Sequence, residues 1–375
     1  MKKIALFHPW IKSKGGAEKV VLEILKKSKN KIDVYTWVYD KKNTFEEFKK
    51  YKINVVAPKF FQKISRKNVM RGLFLLVSLF SKIPLKKYDL FLISTSGVGE
   101  FVTFRNRIKG KVGAYVHTPL RAANKKIVKW EIKDKKHVKR FSHLLAVKIY
   151  RILEKISWKK LDFVVFNSEL SRQRAEESKI LKGKKNKIIY PPIDHFANKE
   201  GKKENYFLYV SRINSPKRQL ELLRAWEKFI KNHPGYKLIL VGSGENKKYF
   251  TKVKEFSEKL EGVHLRSHLK KKELVKLYSN CLAGLFLGYQ EDFGMVPLEI
   301  ISYGKPLIAV DEGGYVNVIG DFHKIKEKHN SEEMVEEIEK GLKSFINSKK
   351  KIKTENKIKD KNFIKEIDEF LNEIK

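Results

Sequence analysis

Two glutamates separated by seven residues, Glu291 and Glu299 in the string EDFGMVPLE, have the types and spacing that most clearly invite chemistry. The surrounding LFLGYQEDFGMVPLEIISYGKPLIAV reads as strand, loop, helix, turn and strand. Pro297 suits a first helical turn, where its missing N–H would be unsatisfied anyway. The loop therefore brings the backbone of Asp292, Phe293, Gly294, Met295 and Val296, and a helix N-terminus, to the carboxyl edge of a sheet. Such an edge is a ready site for an anion. Carboxylates beside a phosphate repel it, so Glu291 and Glu299 need other partners, and sugar or ribose hydroxyls supply them through charge-assisted bonds. A lone glutamate here would be read as surface charge or as a complement to the helix dipole. The complete string argues for a ligand.

A second pair is cationic. VSRINSPKRQLELL sets Arg212 at a strand end and Lys217 at the start of the helix read over Lys217–Lys231. Two cations at a sheet edge can neutralise a diphosphate, and their effect grows as charge builds on a departing nucleotide. Solvated basics are common in so basic a chain, but the strand-end position favours function. In KSKGGAEKV, Gly15 and Gly16 lie between the first strand and first helix, where glycine admits close backbone approach. YVHTPLR puts His117 directly after a strand, with Thr118–Pro119 fixing the exit. A lone histidine is more often structural. VGSGE, 241–245, is a tight turn for which structure and ligand contact are equally good readings. No Asp-x-Asp pair exists, so the usual metal–diphosphate motif is absent and metal independence is expected.

These residues need strands to carry them. KIALFHP, IDVYTW, INVVA, YDLFLISTS, KVGAYVH and LDFVVFNS read as apolar strands separated by helices, the pattern of a parallel sheet covered on both faces. IIYPPID, 188–194, closes this half. After the polar stretch NKEGKKEN a second series begins, with NYFLYVSR, YKLILVGSGE, VHLRS, LAGLFLGY and PLIAV as strands. The expected fold class is α/β, with two Rossmann-like doubly wound domains facing across a cleft. The expected boundaries are 1–195 for the first, 196–205 for a linker, 206–345 for the second and 346–375 for a C-terminal helical segment. Residues Ser331 to Lys375 read as helical, and Phe363, Ile364, Ile367, Phe370, Leu371 and Ile374 keep a helical period that should pack back on something.

The 375 residues, 42% hydrophobic, suffice for two sizeable cores and exclude a disordered chain. Cys281, the single cysteine, heads an apolar run and reads as a buried thiol in a reducing compartment. No secretory signal opens the sequence, and no apolar run reaches the roughly 20 residues that span a bilayer. The expected location is cytoplasmic, free or peripheral on the inner membrane face. A net charge of +39 suits attraction to anionic lipid, yet Lys, Asn and Ile abundant together also suit codon bias. Nucleic-acid motifs with arginine forks and aromatic platforms are missing, so no nucleic acid is expected as partner. Phe141–Lys160 and Asn68–Phe80 are apolar helices flanked by basics, suited equally to a core and to an acidic membrane surface.

On EDFGMVPLE, on Arg212 with Lys217 and on His117-x-Pro, the sequence resembles the family 4 retaining glycosyltransferases, group 1 enzymes of the GT-B fold. The resemblance is strongest over 205–310. It implies that Glu291 binds donor-sugar hydroxyls, that Glu299 binds the ribose, and that amides of Phe293 to Val296 hold sugar and phosphate. It also implies that Arg212 and Lys217 hold the diphosphate, that Ser267, His268 and Leu269 meet the base, that Gly15–Gly16 faces donor and acceptor, and that His117 touches the transferred sugar. His117, Arg212, Lys217 and Glu291 form the expected catalytic set. No first-domain carboxylate stands out for a double displacement, and the resemblance implies a front-face route instead. The expected function is transfer of a hexose, mannose from GDP-mannose being favoured over a UDP-linked donor, to a glycan or lipid-linked acceptor in cell-surface polysaccharide or lipopolysaccharide synthesis. No cofactor is expected beyond the nucleotide-sugar substrate. The alternatives are a sugar-nucleotide 2-epimerase of the same fold and a basic membrane- or polyanion-binding protein with a decayed site. This chain continues HTPLRAANKK where relatives carry a Trp-Asp pair, which sets its acceptor side apart.

Overall fold

The strand β1 (Lys3–Phe7) is apolar from Ile4 onward, and those four side chains are fully buried, as a strand covered on both faces requires. The structure, a computed structural model, describes residues 1–59, 61, 73–119, 124, 127–129, 137–193, 201–244, 246–348, 355–358 and 362–374. They fall into two units, Met1–Pro192 with Lys361–Lys375, and Ile193–Asp360.

In the first unit β1 is followed by β2 (Trp10–Ile11), α1 (Gly16–Lys27), β3 (Lys31–Thr36), β4 (Val38–Tyr39) and β5 (Ile53–Val55). Then come α2 (Leu73–Phe80), β6 (Leu90–Thr95), a 3-10 turn at Gly99–Phe104, β7 (Lys111–Val116), α3 (His137–Trp158), β8 (Phe163–Phe166), α4 (Glu169–Glu177) and β9 (Lys185–Ile188). The described strands form a parallel sheet in the order β5-β3-β1-β6-β7-β8-β9, with β2 and β4 paired beside it. Alternate side chains feed two cores. Ala5, Phe7, Phe91 and Ile93 face one, and Ile4, Leu6, Leu90 and Leu92 face the other.

The second unit runs β10 (Tyr206–Val210), α5 (Gln219–Ile230), β11 (Lys237–Val241), α6 (Lys247–Lys259), β12 (Val263–Arg266), α7 (Lys271–Asn280) and β13 (Ala283–Phe286). It continues with α8 (Met295–Ser302), β14 (Leu307–Val310), β15 (His323–Ile325) and α9 (Ser331–Asn347). Its described strands are all parallel, in the order β12-β11-β10-β13-β14-β15. Trp226, Phe229 and Leu223 of α5 and Val335, Ile338 and Leu342 of α9 cover one face.

Three boundaries differ from the sequence reading. The division falls after Pro192, ahead of 195. Residues 201–205, expected in a linker, are docked on the second unit: Glu204 N–H donates to the Asn280 carbonyl at 2.8 Å and Asn280 Nδ2 to Glu204 Oε1 at 2.7 Å. Residues 194–200 lie outside the described set. The C-terminal segment is not one body either. α9 belongs to the second unit, whereas the last helix, α10 (Phe363–Glu373), belongs to the first. Its Phe363, Ile367, Phe370 and Leu371 enter the core beneath Ile4, Leu6 and Tyr115. Asp368, buried, accepts from Ser28 Oγ at 2.5 Å, Lys29 N at 2.8 Å and Asn30 Nδ2 at 3.0 Å, which fixes the helix in register. The expected helix start at Lys217 also moves. Ser215–Lys217 is a 3-10 turn, Arg218 is left-handed at φ 56°, and α5 begins at Gln219.

Candidate active site

When every strand of a sheet points the same way, the loops leaving the strands share one edge, and a crevice opens where the strand order reverses. In the second unit the chain moves from β10 to β11 and β12 on one side, then resumes with β13 on the other. The loops after β10 and β13 part there. The first carries Lys217 and the second Glu291. Their side chains meet, Lys217 Nζ donating to Glu291 Oε2 at 2.5 Å, both partly shielded from solvent. Tyr289 N–H donates to the Pro216 carbonyl at 2.9 Å, tying the two loops together through backbone. Lys217 Nζ also lies 4.9 Å from the centre of the Phe286 ring. A Cβ at position 288 would stand 3.1 Å from that nitrogen, so Gly288 leaves the room the ammonium uses.

The EDFG turn is built from below. Gly294 caps α8 at φ 84°, and a Cβ there would meet the ring of buried Tyr315 at 2.7 Å. Phe293 and Asp292 are buried under the turn, and Gly314 N–H donates to the Glu291 carbonyl at 3.0 Å. Met295 and Val296, partly exposed, form the first turn of α8. Glu299, one turn along, accepts from Tyr278 Oη at 2.9 Å, and Tyr278 stacks on Tyr303. Burial, with the Glu299 carboxylate second, pushes the Tyr278 phenol well above its ordinary range, so it stays a donor.

Other expected contacts fall around this point unevenly. Arg212 follows β10, exposed, and its guanidinium has no partner among the described residues. Ser267 follows β12, but its hydroxyl is committed to the Gly242 carbonyl at 2.8 Å, leaving backbone to meet a ligand. His268 turns left-handed at φ 56° and is exposed, with Leu269 partly buried behind it. Gly15 and Gly16 lie at the head of α1. Glu18 folds back on the loop, its Oε1 accepting from Ser13 Oγ at 2.7 Å, and a Cβ on Gly15 would meet Glu18 Oε2 at 2.5 Å. The head of α1 therefore carries a carboxylate of its own chain beside the two glycines.

In the first unit the order reverses between β1 and β6. His8 leaves β1, Ser94 lies near the end of β6, and His117 leaves the neighbouring β7. Ser94 Oγ is 3.0 Å from His8 Nδ1 and 2.8 Å from His117 Nε2. Burial lowers the His8 imidazole to about 4, and burial together with His8 holds His117 well below the usual histidine range. Both rings are neutral at pH 7. Glu100 is buried nearby in sequence, accepting from Thr95 Oγ1 at 2.5 Å and Trp158 Nε1 at 3.4 Å, and burial raises its carboxyl.

The sequence reading passed over His8, Ser94, Arg218 and Tyr278. Arg218 is buried, its NH1 donating to Glu327 at 2.7 Å and NH2 to the same carboxylate, with the guanidinium 5.1 Å from the Tyr289 ring. It anchors the turn that aims Lys217. A histidine at the exit of the first strand was a legible signal for His8. Ser94 and Tyr278 had none, because only strand order brings them to their partners.

Fold and site together define a pair of Rossmann-like units, the second bringing the Lys217–Glu291 pair to the reversal of its strand order. Residues 192–361 match the family Glycosyl transferases group 1. The chain is 25% identical over 382 residues to the Alpha-1,3/1,6-mannosyltransferase ALG2 of Kluyveromyces lactis, covering 86% of this chain and 72% of that protein. It is 28% identical over 107 residues to the glycogen synthase of Mycobacterium tuberculosis, 28% of this chain and 26% of that one. Among solved structures, Anabaena Alr3699/HepE in complex with UDP and glucose superposes with TM-score 0.66 at 16% identity over all of both chains. Sucrose-phosphate synthase from Thermosynechococcus elongatus gives 0.63 at 16% over 91% and 90%. The second unit matches the group 1 glycosyltransferases over its length, and the chain as a whole is a glycosyltransferase of the GT-B fold.

Proposed function

We propose that the enzyme transfers a hexose, mannose from GDP-mannose, to a glycan acceptor with retention of anomeric configuration and without a metal ion. The observation that carries this reading is the Lys217–Glu291 pair at the reversal of strand order, beside the Gly294-capped head of α8. Lys217 and Arg212 supply positive charge to the diphosphate, and α8 adds its first amides. Glu291, held by Lys217, accepts sugar hydroxyls, while Glu299, held by Tyr278, accepts those of the ribose. As the acceptor oxygen bonds to the anomeric carbon on the side of the leaving group, the bond from that carbon to the diphosphate breaks. The acceptor's proton passes to the departing phosphate oxygen. Mannose is supported by the ALG2 relatives, which are mannosyltransferases. Incubation with a panel of GDP- and UDP-sugars, with and without EDTA, tests the proposal. GDP-mannose should be turned over equally in both; turnover of a different donor alone, or loss with EDTA, counts against it.

The acceptor reading includes a lipid carrier at an acidic membrane surface. Among the described residues no helix is long and apolar enough to cross a membrane. Among the described residues, apart from Met1, the exposed large apolar side chains sit on α2 (Leu76, Leu79, Phe80) and α3 (Phe141, Leu144, Leu145, Ile149, Ile152, Ile156). α3 buries Val147, Glu154 and Trp158 against the unit, yet Phe141 is 71% and Ile152 52% exposed on its far side. Lys148, Arg151, Lys155 and Lys159 run beside that stripe, a composition suited to an anionic interface. Flotation with vesicles containing phosphatidylglycerol should carry the protein, and Ile149→Ser with Ile152→Ser should release it; binding unchanged by the pair would refute this face.

A further inference from the structure

The His8–Ser94–His117 chain contains enough constraints to assign its protons. A backbone carbonyl can only accept, and His8 Nδ1 lies 3.3 Å from Ser94 O as well as 3.0 Å from Ser94 Oγ. Both contacts are favourable only if Nδ1 carries the hydrogen. Ser94 Oγ then accepts from His8, and its single hydrogen goes to His117 Nε2 at 2.8 Å, because a second donation to Oγ from a protonated Nε2 would leave that hydrogen without an acceptor among the described residues. A neutral His117 accepting at Nε2 must hold its proton on Nδ1. The opposite arrangement fails twice. It would set the bare Nδ1 of His8 against the Ser94 carbonyl. It would also move the His8 proton to Nε2, which is fully buried with no hydrogen-bond partner among the described residues. An orphaned buried N–H is costlier and rarer than an orphaned lone pair.

The backbone of His117 is held on both sides, its N–H donating to the Thr95 carbonyl at 2.9 Å and its carbonyl accepting from Asn167 Nδ2 at 2.7 Å. Asn167 is itself held by Ser171 Oγ at 2.6 Å. The ring is thus fixed in place, and its Nδ1 takes no hydrogen bond from the described residues.

We propose that His8 and Ser94 are positioning residues that lock His117 as the neutral Nδ1–H tautomer, so that it serves as a hydrogen-bond donor to an oxygen of the sugar being transferred and not as a base. The second half rests on the reading of His117 as a sugar contact; the lock itself does not. With Nε2 occupied by the Ser94 hydroxyl, His117 cannot take a proton there without breaking that bond.

Protein labelled with 15N-histidine separates the two halves. At pH 7 the resonances lost in His117→Gln should show a protonated Nδ1 and a bare Nε2 in the wild type. A protonated Nε2, or a charged ring, overturns the lock. Ser94→Ala should shift the tautomer population toward Nε2–H and lower kcat at least tenfold with donor KM within twofold. Ser94→Thr, which keeps a hydroxyl on the strand, should restore both. An unaltered tautomer in Ser94→Ala also overturns the lock. A shifted tautomer with unaltered kcat leaves the lock standing and overturns the donor role in transfer.

Discussion

Lys217 and Glu291 are each other's partner, and this shapes what each substitution should do. Lys217→Ala removes the cation that would meet building charge on the leaving diphosphate, so kcat should fall by about 10²-fold or more. It also removes the ammonium that Glu291 accepts from. Glu299→Gln, which keeps the hydrogen bond from Tyr278 but loses charge toward the ribose, should instead weaken nucleotide affinity by about tenfold. Steady-state kinetics together with calorimetric titration of the nucleoside diphosphate would separate the two. At the same scale, His8 couples pH to stability. Its folded pKa of about 4 lies below the ordinary histidine value, so between those two the unfolded chain binds more protons. Stability is therefore whole above roughly pH 6.5 and is lost as pH falls toward 4, by roughly 3 kcal/mol from His8 alone. Thermal melts between pH 7.5 and 4 should show this drop, and a flat profile would contradict the burial of a neutral imidazole.

At the scale of elements, α10 is the piece whose placement carries most consequence. It presents Phe363, Ile367, Phe370 and Leu371 to the sheet face that also receives Val20, Val21 and Ile24 of α1. Three donors converge on its Asp368, and Lys2 Nζ donates to the Leu371 carbonyl at 2.7 Å. The first unit is thus completed by the last residues of the chain. Leu371→Ala should cost about 3 kcal/mol of its stability by leaving a cavity in that core. Nucleotide affinity, a property proposed for the second unit, should not change. Denaturation followed by limited proteolysis of residues 1–192, beside nucleotide titration, checks both halves. A loss of nucleotide binding would mean that the units are not energetically separate in this respect.

For the whole molecule the dominant quantity is charge. A net +39 on 375 residues makes any contact with an anionic surface strongly dependent on salt. The face proposed for membranes combines two attractions that respond differently. Raising NaCl from 50 to 500 mM should weaken vesicle binding by about tenfold or more through screening, while the apolar ridge of α3 retains a residual fraction. Ile149→Ser with Ile152→Ser should remove that residue at high salt. Binding indifferent to salt would assign the charge to composition alone, as an excess of lysine codons would produce.

Much of this protein was legible in its sequence because its signals are local. Buried parallel strands must be continuously apolar, so Ile4–Phe7, Leu90–Ile93 and Leu285–Leu287 declared themselves without partners. EDFGMVPLE likewise carries its loop, helix cap and carboxylates within nine residues. What spans strands was not legible. Short strands such as His323–Ile325 and Lys185–Ile188 are mostly polar and gain their identity from the edge they join. The docking of α10 on the first unit needed the sheet face it covers, and its helical period said only that some face existed. The pairing of Lys217 with Glu291 and the linking of His8 and His117 through Ser94 follow from where strand order reverses. Residue types and short-range spacing were set by sequence alone; which distant side chains share a hydrogen bond was decided by tertiary structure, because only packing fixes the order of strands.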